Sequence, residues 1–255
     1  MTRALVTCAL AASTLLTVAA CSTTDPVAAQ PPAPPATPAP RSVPKAAPST
    51  PATTPALTEA QAQAALITEA DLGEPWMPTQ GAATWRDGFL KATTSAPDCR
   101  RLLDALYADD LLGAPARAAI GLDDGYDDAQ LRYQVSAGRP ADVDRVVAWM
   151  KTLPAACPSF KASGPRGEPR TVEVYDAPLP EVGDVRQGLR IAVTREVNGE
   201  PVTLTLDVAA VRVGEDAFTL TNGGLGEVYT EITQAAVELG AERLADVRKQ
   251  GRVQI

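Results

Sequence analysis

Acid-base catalysis near neutral pH most often uses histidine, and this 255-residue chain contains none. The Ser-His-Asp triad, the Cys-His pair and imidazole metal ligands are therefore excluded together. No G-x-S-x-G nucleophile elbow occurs either. One segment has the look of metal chemistry: GLDDGYDDAQ sets Asp123, Asp124, Asp127 and Asp128 around Gly125. It lacks the D-x-D-x-D-G spacing and the twelfth-position glutamate of a calcium loop, and so reads as a solvated acidic turn. A second segment, TNGGLGE, can either cradle an anion on free backbone N–H groups or serve as a strand-to-helix turn requiring positive φ; the turn is the simpler reading. No metal and no cofactor is expected, and the chain does not read as an enzyme.

Four side chains stand out as ligand contacts. Trp76, in GEPWMP, and Trp85, in TWRDG, are scarce large aromatics in irregular stretches of a chain with 4 % aromatic residues, where they can line a cleft. Trp149 sits beside an apolar stripe and reads as core. Arg190 and Arg195 share the strand-like run LRIAVTREV, but five residues of separation put them on opposite faces, so at most one can line a groove.

The elements that must position these residues follow from periodicity. PDCRRLLDALYADDLL has Pro97 at a first helical turn and Cys99, Leu102, Leu103 and Leu106 at helical spacing. AQLRYQVSAG alternates Leu131, Tyr133 and Val135 as a strand, and Pro140 then opens a helix with Val143, Val146, Val147 and Met150 as its stripe. RTVEVYDA, GLRIAVTREV, PVTLTLDVAAVRVG and DAFTLTNGG read as strands, the middle two joined by Asn198-Gly199, a strong hairpin signal. A closing amphipathic helix is expected to align Leu225, Val228, Ile232, Ala235, Leu239 and Leu244. Hairpins with segregated helices predict an α+β fold, a twisted antiparallel sheet with helices packed on one side, in one domain over residues 57–255.

The N-terminal region answers a different question. Arg3 precedes the apolar run ALVTCALAASTLLTVAA, an export signal over residues 1–20. It ends in Val18-Ala19-Ala20-Cys21, which resembles the bacterial lipobox and implies lipidation of Cys21; the alternative is an ordinary secretory signal with Cys21 a bystander. Residues 21–56, rich in Pro, Ala and Thr, cannot build a core and read as an extended tether. A proline-rich ligand for a partner and an O-glycosylated stalk stay open. With Cys8 in the signal and Cys21 lipidated, Cys99 and Cys157 remain for one disulfide in an oxidising compartment, a free reactive pair being the alternative. An excess of 31 Asp and Glu over 23 Lys and Arg disfavours nucleic acid. The predicted location is the outer face of the cell membrane, held there by the lipid.

The ordered series ALITEADLGEPW, DCRRLLDAL, LPAACPSF, a VGD turn, VAAVRVGEDAFTL and a final helix resembles the actinobacterial sensor-domain lipoproteins, a family similar to the extracellular domain of the mycobacterial kinase PknH. The resemblance implies a sensor-like or ligand-binding module with a cleft beside a twisted sheet. The chain departs from it in having one cysteine pair in the domain where the kinase's domain has two, and no kinase sequence lies within it. Three classes of function follow: a tethered module that captures a small molecule or a cell-envelope component, a lipid or glycolipid carrier, and an interaction partner of an envelope complex.

Overall fold

The computed structural model describes residues 56–81 and 85–253. The signal segment, Cys21 and the tether up to residue 55 lie outside the described residues. In chain order the elements are α1 (Glu59–Ala64), α2 (Glu69–Leu72), β1 (Trp76–Pro78), α3 (Trp85–Phe89), α4 (Pro97–Ala108), β2 (Ala118–Asp124), β3 (Ala129–Ser136), α5 (Pro140–Ala156), β4 (Ser159–Ser163), β5 (Pro169–Ala177), β6 (Val185–Val197), β7 (Glu200–Val213), β8 (Asp216–Gly224) and α6 (Thr230–Val253). Prolines occupy the first turns of α4 and α5, where their missing N–H has no intrahelical acceptor to lose. Asn198 and Gly199 both take positive φ, 55° and 87°, and close the β6–β7 hairpin in the manner whose twist suits antiparallel strands.

All eight strands join one antiparallel sheet in the order β1-β2-β3-β8-β7-β6-β5-β4. Register fixes its two faces. Leu206 of β7 pairs with Ile191, and Ile191 with Val174, so these residues share a first face. They pack with Val143, Val147 and Met150 of α5 and Leu102 and Leu103 of α4. Ala209 pairs with Leu220, and Leu220 with Tyr133, on the second face. These pack with Ala236, Val237, Ala241 and Leu244 of α6 and Ala62 of α1. The α+β class, the antiparallel sheet and the disulfide are as expected. Each half of the sheet carries its helices on one side, and the two halves use opposite faces. The first face of β2, β3 and β8 is consequently left to polar residues.

Two expectations need correction. The seam of α6 is Thr233, Ala236, Val237, Gly240, Ala241, Leu244 and Val247, whereas Leu225 and Ala235 are exposed and Ile232 and Leu239 flank the contact. The cause is close approach: a Cβ on Gly240 would stand 2.6 Å from the Tyr133 ring, so Ala236, Gly240 and Ala241 form the middle of the seam, with Val237, Leu244 and Val247 beside them. The glycines of TNGGLGE do not supply positive φ. Gly223, Gly224 and Gly226 are needed because backbone lies against them; a Cβ on Gly224 would be 2.7 Å from the Asp128 carbonyl oxygen. Strands β1, β2 and β4 are additions that the sequence pattern did not reveal.

Cys99 and Cys157 form a disulfide with a Cα–Cα separation of 5.7 Å, tying the first turn of α4 to the C-cap of α5. Both are buried, 2 % and 1 % exposed, so the bond is sealed beneath two helices of the first-face core. Thiol titration of the denatured chain without reductant should find neither cysteine free. Converting both to serine should lower unfolding free energy by about 4 kcal/mol, the loop-closure term for 58 residues, as read from urea melts.

Candidate functional site

The polar half of the first face forms a groove. Alternation in β3 places Gln130, Arg132 and Gln134 there, opposite Leu131, Tyr133 and Val135, and Thr219 and Thr221 continue the floor from β8. β2 contributes Gly121 and Asp123, paired with Arg132 and Gln130. Gly121 has no side chain because Thr79 lies across it: a Cβ would meet the Thr79 hydroxyl at 2.7 Å. Two adjoining clefts result, one of ≈ 450 Å³ bordered by Arg86, Asp109, Gly121 and Arg132, and one of ≈ 390 Å³ between Trp85 and the β2–β3 turn.

Asp109 organises the groove. It ends α4 in a left-handed conformation, φ 55°, and its carboxylate is held between Arg86 and Arg132, whose Nε lies 2.8 Å from Oδ2. Burial pushes the Asp109 carboxyl above its usual range, against the downward pull of the Arg86 and Arg132 charges. Arg86 also donates to the carbonyl of Leu106 at 2.9 Å, which fixes it to the last turn of α4. On the far side, Asp123 Oδ1 accepts from the Thr79 hydroxyl at 2.7 Å and from Gln130 Nε2 at 2.9 Å. The groove thus offers guanidinium, carboxylate, amide and hydroxyl groups held by one another: an array suited to binding a polar molecule.

The aspartate turn has its own structural work. Asp124 Oδ1 accepts from the N–H groups of Tyr126 at 2.8 Å and Asp127 at 3.2 Å, which is how a turn residue satisfies loose backbone donors. Among the described residues no three His, Cys, Asp or Glu side chains are grouped so as to hold a metal ion.

Of the four ligand-contact candidates, the structure brings Trp85 to the groove, half-buried at the wall of the smaller cleft. Trp76 is 7 % exposed, in the second-face core with Leu122. Arg190 and Arg195 do lie on opposite faces. The Arg195 guanidinium stacks 4.6 Å from the Phe89 ring centroid on the first face. Arg190 forks onto Asp207 at 2.7 and 3.0 Å on the second face and donates to the Val228 carbonyl and the Thr230 hydroxyl, clamping the start of α6 to the sheet. Trp149 is half-buried against α4, its indole N–H 3.3 Å from Asp98 and its ring under Arg101. Arg86, Asp109, Gln130 and Arg132 were not singled out from sequence. The polar alternation in AQLRYQ was a signal for two of them; nothing in the sequence marked Asp109.

No family model matches the chain, and no curated protein matches it. Among solved structures, the chain is similar to the extracellular domain of PknH from Mycobacterium tuberculosis. The two are 14 % identical over 76 % of this chain and 98 % of that one, with a TM-score of 0.44.

Because Asp207 is only 1 % exposed on its side chain while Arg190 is 37 % exposed, Arg190→Met should leave a buried carboxylate short of its cation. A loss of about 2 kcal/mol in unfolding free energy is expected, below the range for a fully buried pair because Arg190 is partly solvated and Asp207 keeps the Thr233 hydroxyl as a donor. Binding in the groove on the other face should be unchanged.

Proposed function

We propose that this chain is a sensor-like recognition module outside the cytoplasmic membrane, anchored by lipidated Cys21 through its proline-rich tether, and that it binds a polar small molecule or envelope component without transforming it. The observation that carries this reading is the groove over β2, β3 and β8, where only the last turn of α4 reaches over the first face and Arg132, Asp109, Gln130 and Thr221 line adjoining clefts. The chemistry supports binding over turnover. The chain has no histidine, and its two domain cysteines are bonded to each other. The buried disulfide fits an oxidising compartment, and among the described residues no helix is long and apolar enough to cross a membrane. Lipid carriage is the weaker alternative, since the apolar residues of both faces are packed beneath helices and the clefts are polar.

Two experiments test the reading. In the native host, the wild-type chain should incorporate a fatty-acid analogue and Cys21→Ser should not; labelling of the variant would overturn the anchor. Native mass spectrometry of the chain purified from that host should find a polar ligand, retained by wild type and lost from Arg132→Ala. Retention of an acyl lipid, or a ligand indifferent to Arg132, would overturn the groove as the binding site.

A further inference from the structure

The β2–β3 turn and the segment joining β8 to α6 meet at one corner of the sheet. Their contact is tight: a Cβ on Gly226 would lie 2.7 Å from the Asp127 carbonyl oxygen. Five large apolar or aromatic side chains are exposed among the described residues: Met77, Tyr126, Tyr175, Leu225 and Tyr229. Four of the five stand at this corner. Tyr126 is 81 % exposed on the tip of the turn, and the methyl of Met77 lies beside Gly125. Leu225 and Trp85 both line the ≈ 390 Å³ cleft. Tyr229 stands by carboxylates, its hydroxyl held above the ordinary range by the charge of Asp127 and then of Glu227. Such a concentration of exposed apolar surface marks an interaction site more often than a bare face.

Charge decides what fits it. Asp127, Asp128 and Glu227 are interleaved with these side chains, Asp123 and Asp124 being held by hydrogen bonds within and beside the hairpin, and no lysine or arginine lines the adjoining cleft. Aromatic ring faces attract cations, and the stems of lysine and arginine cover apolar surface while their heads reach carboxylates. We propose that this corner docks an arginine- or lysine-bearing peptide segment of a partner protein, its cationic side chains lying against Tyr126 and Tyr229 and reaching the aspartates of the turn. The apolar groups make this more than attraction between opposite charges, because a hydrated metal ion gains nothing from Tyr126 or Leu225 while a guanidinium with its alkyl stem does. The site adjoins the groove through the cleft at Trp85, while Tyr126 and Tyr229 line neither cleft of the groove.

The test uses the full-length lipoprotein in uncharged detergent and a fluorescent hexa-arginine peptide, followed by anisotropy at about 0.15 M salt, with hexa-glutamate as the control. The wild type should bind hexa-arginine with a Kd on the order of 100 μM and should ignore hexa-glutamate. The double variant Tyr126→Ser/Tyr229→Ser should bind at least ~10-fold more weakly, as should Asp127→Asn/Asp128→Asn, while Arg132→Ala stays within about twofold. Tyr126 and Tyr229 are exposed, so the serine pair should melt with the wild type and separate binding from folding. Absence of binding at about 1 mM peptide overturns the proposal. So does binding that the tyrosine pair leaves unchanged, which would be charge attraction alone, or binding that Arg132→Ala abolishes, which would put the peptide in the groove.

Discussion

The burial of β7 on both of its faces constrains everything else. Leu204, Leu206, Val208 and Ala210 alternate with Ala209 and Val211, and all six are buried. A strand apolar on one side needs one layer of helices; a strand apolar on both needs two. Connection lengths allow α4 and α5 to cover the β5–β7 half and α6, with α1, to cover the other half from behind. That offset arrangement is what leaves the first face of β2, β3 and β8 covered only at its margin, by the last turn of α4. The groove is the remainder of a packing problem solved elsewhere in the sheet.

Arginine-carboxylate pairs then fasten the helices to the sheet and to one another. Arg190 joins Asp207 to the start of α6; Arg248 of the same helix pairs with Asp216 of β8; Arg212 of β7 reaches Asp144 of α5 at 2.7 Å. Arg243 of α6 holds Asp71 of α2 at 2.5 Å and the Leu66 carbonyl at 2.6 Å. Although burial works against ionisation of Asp71, the hydrogen bonds from Arg243 and Thr68 prevail and lower its pKa. Planar guanidinium forks suit this task, since each satisfies several acceptors in one geometry and limits the cost of desolvating the acid. The same chemistry in the groove, Arg86 and Arg132 about Asp109, lies at the edge of the core and faces an open cleft.

The groove and the acidic corner share Gln130 and the β2–β3 hairpin, so one short hairpin presents two chemically different surfaces. Its flank toward Arg132 is mixed in charge and polar, fitting a ligand with donors and acceptors of its own. Its tip is aromatic and acidic, fitting a cation.

Local pattern alone determined much of the chain. The prolines at the starts of α4 and α5, the alternation of β3, the Asn198-Gly199 hairpin and the pairing of the two domain cysteines were all legible, because each depends on neighbours within a few residues or on simple elimination. The antiparallel α+β class followed from them. Only the tertiary structure decided which face each helix covers, because β7 and β8 carry apolar residues on both sides and the sequence does not say which partner arrives where. For the same reason the seam of α6 was misplaced: its small residues earn burial from Tyr133, a contact across more than a hundred residues. The candidate site lay beyond local reach too. Asp109 comes from a helix end, Arg86 from a short helix before it, Arg132 from a strand after it, and only the closure of β3 onto β8 brings their charges together.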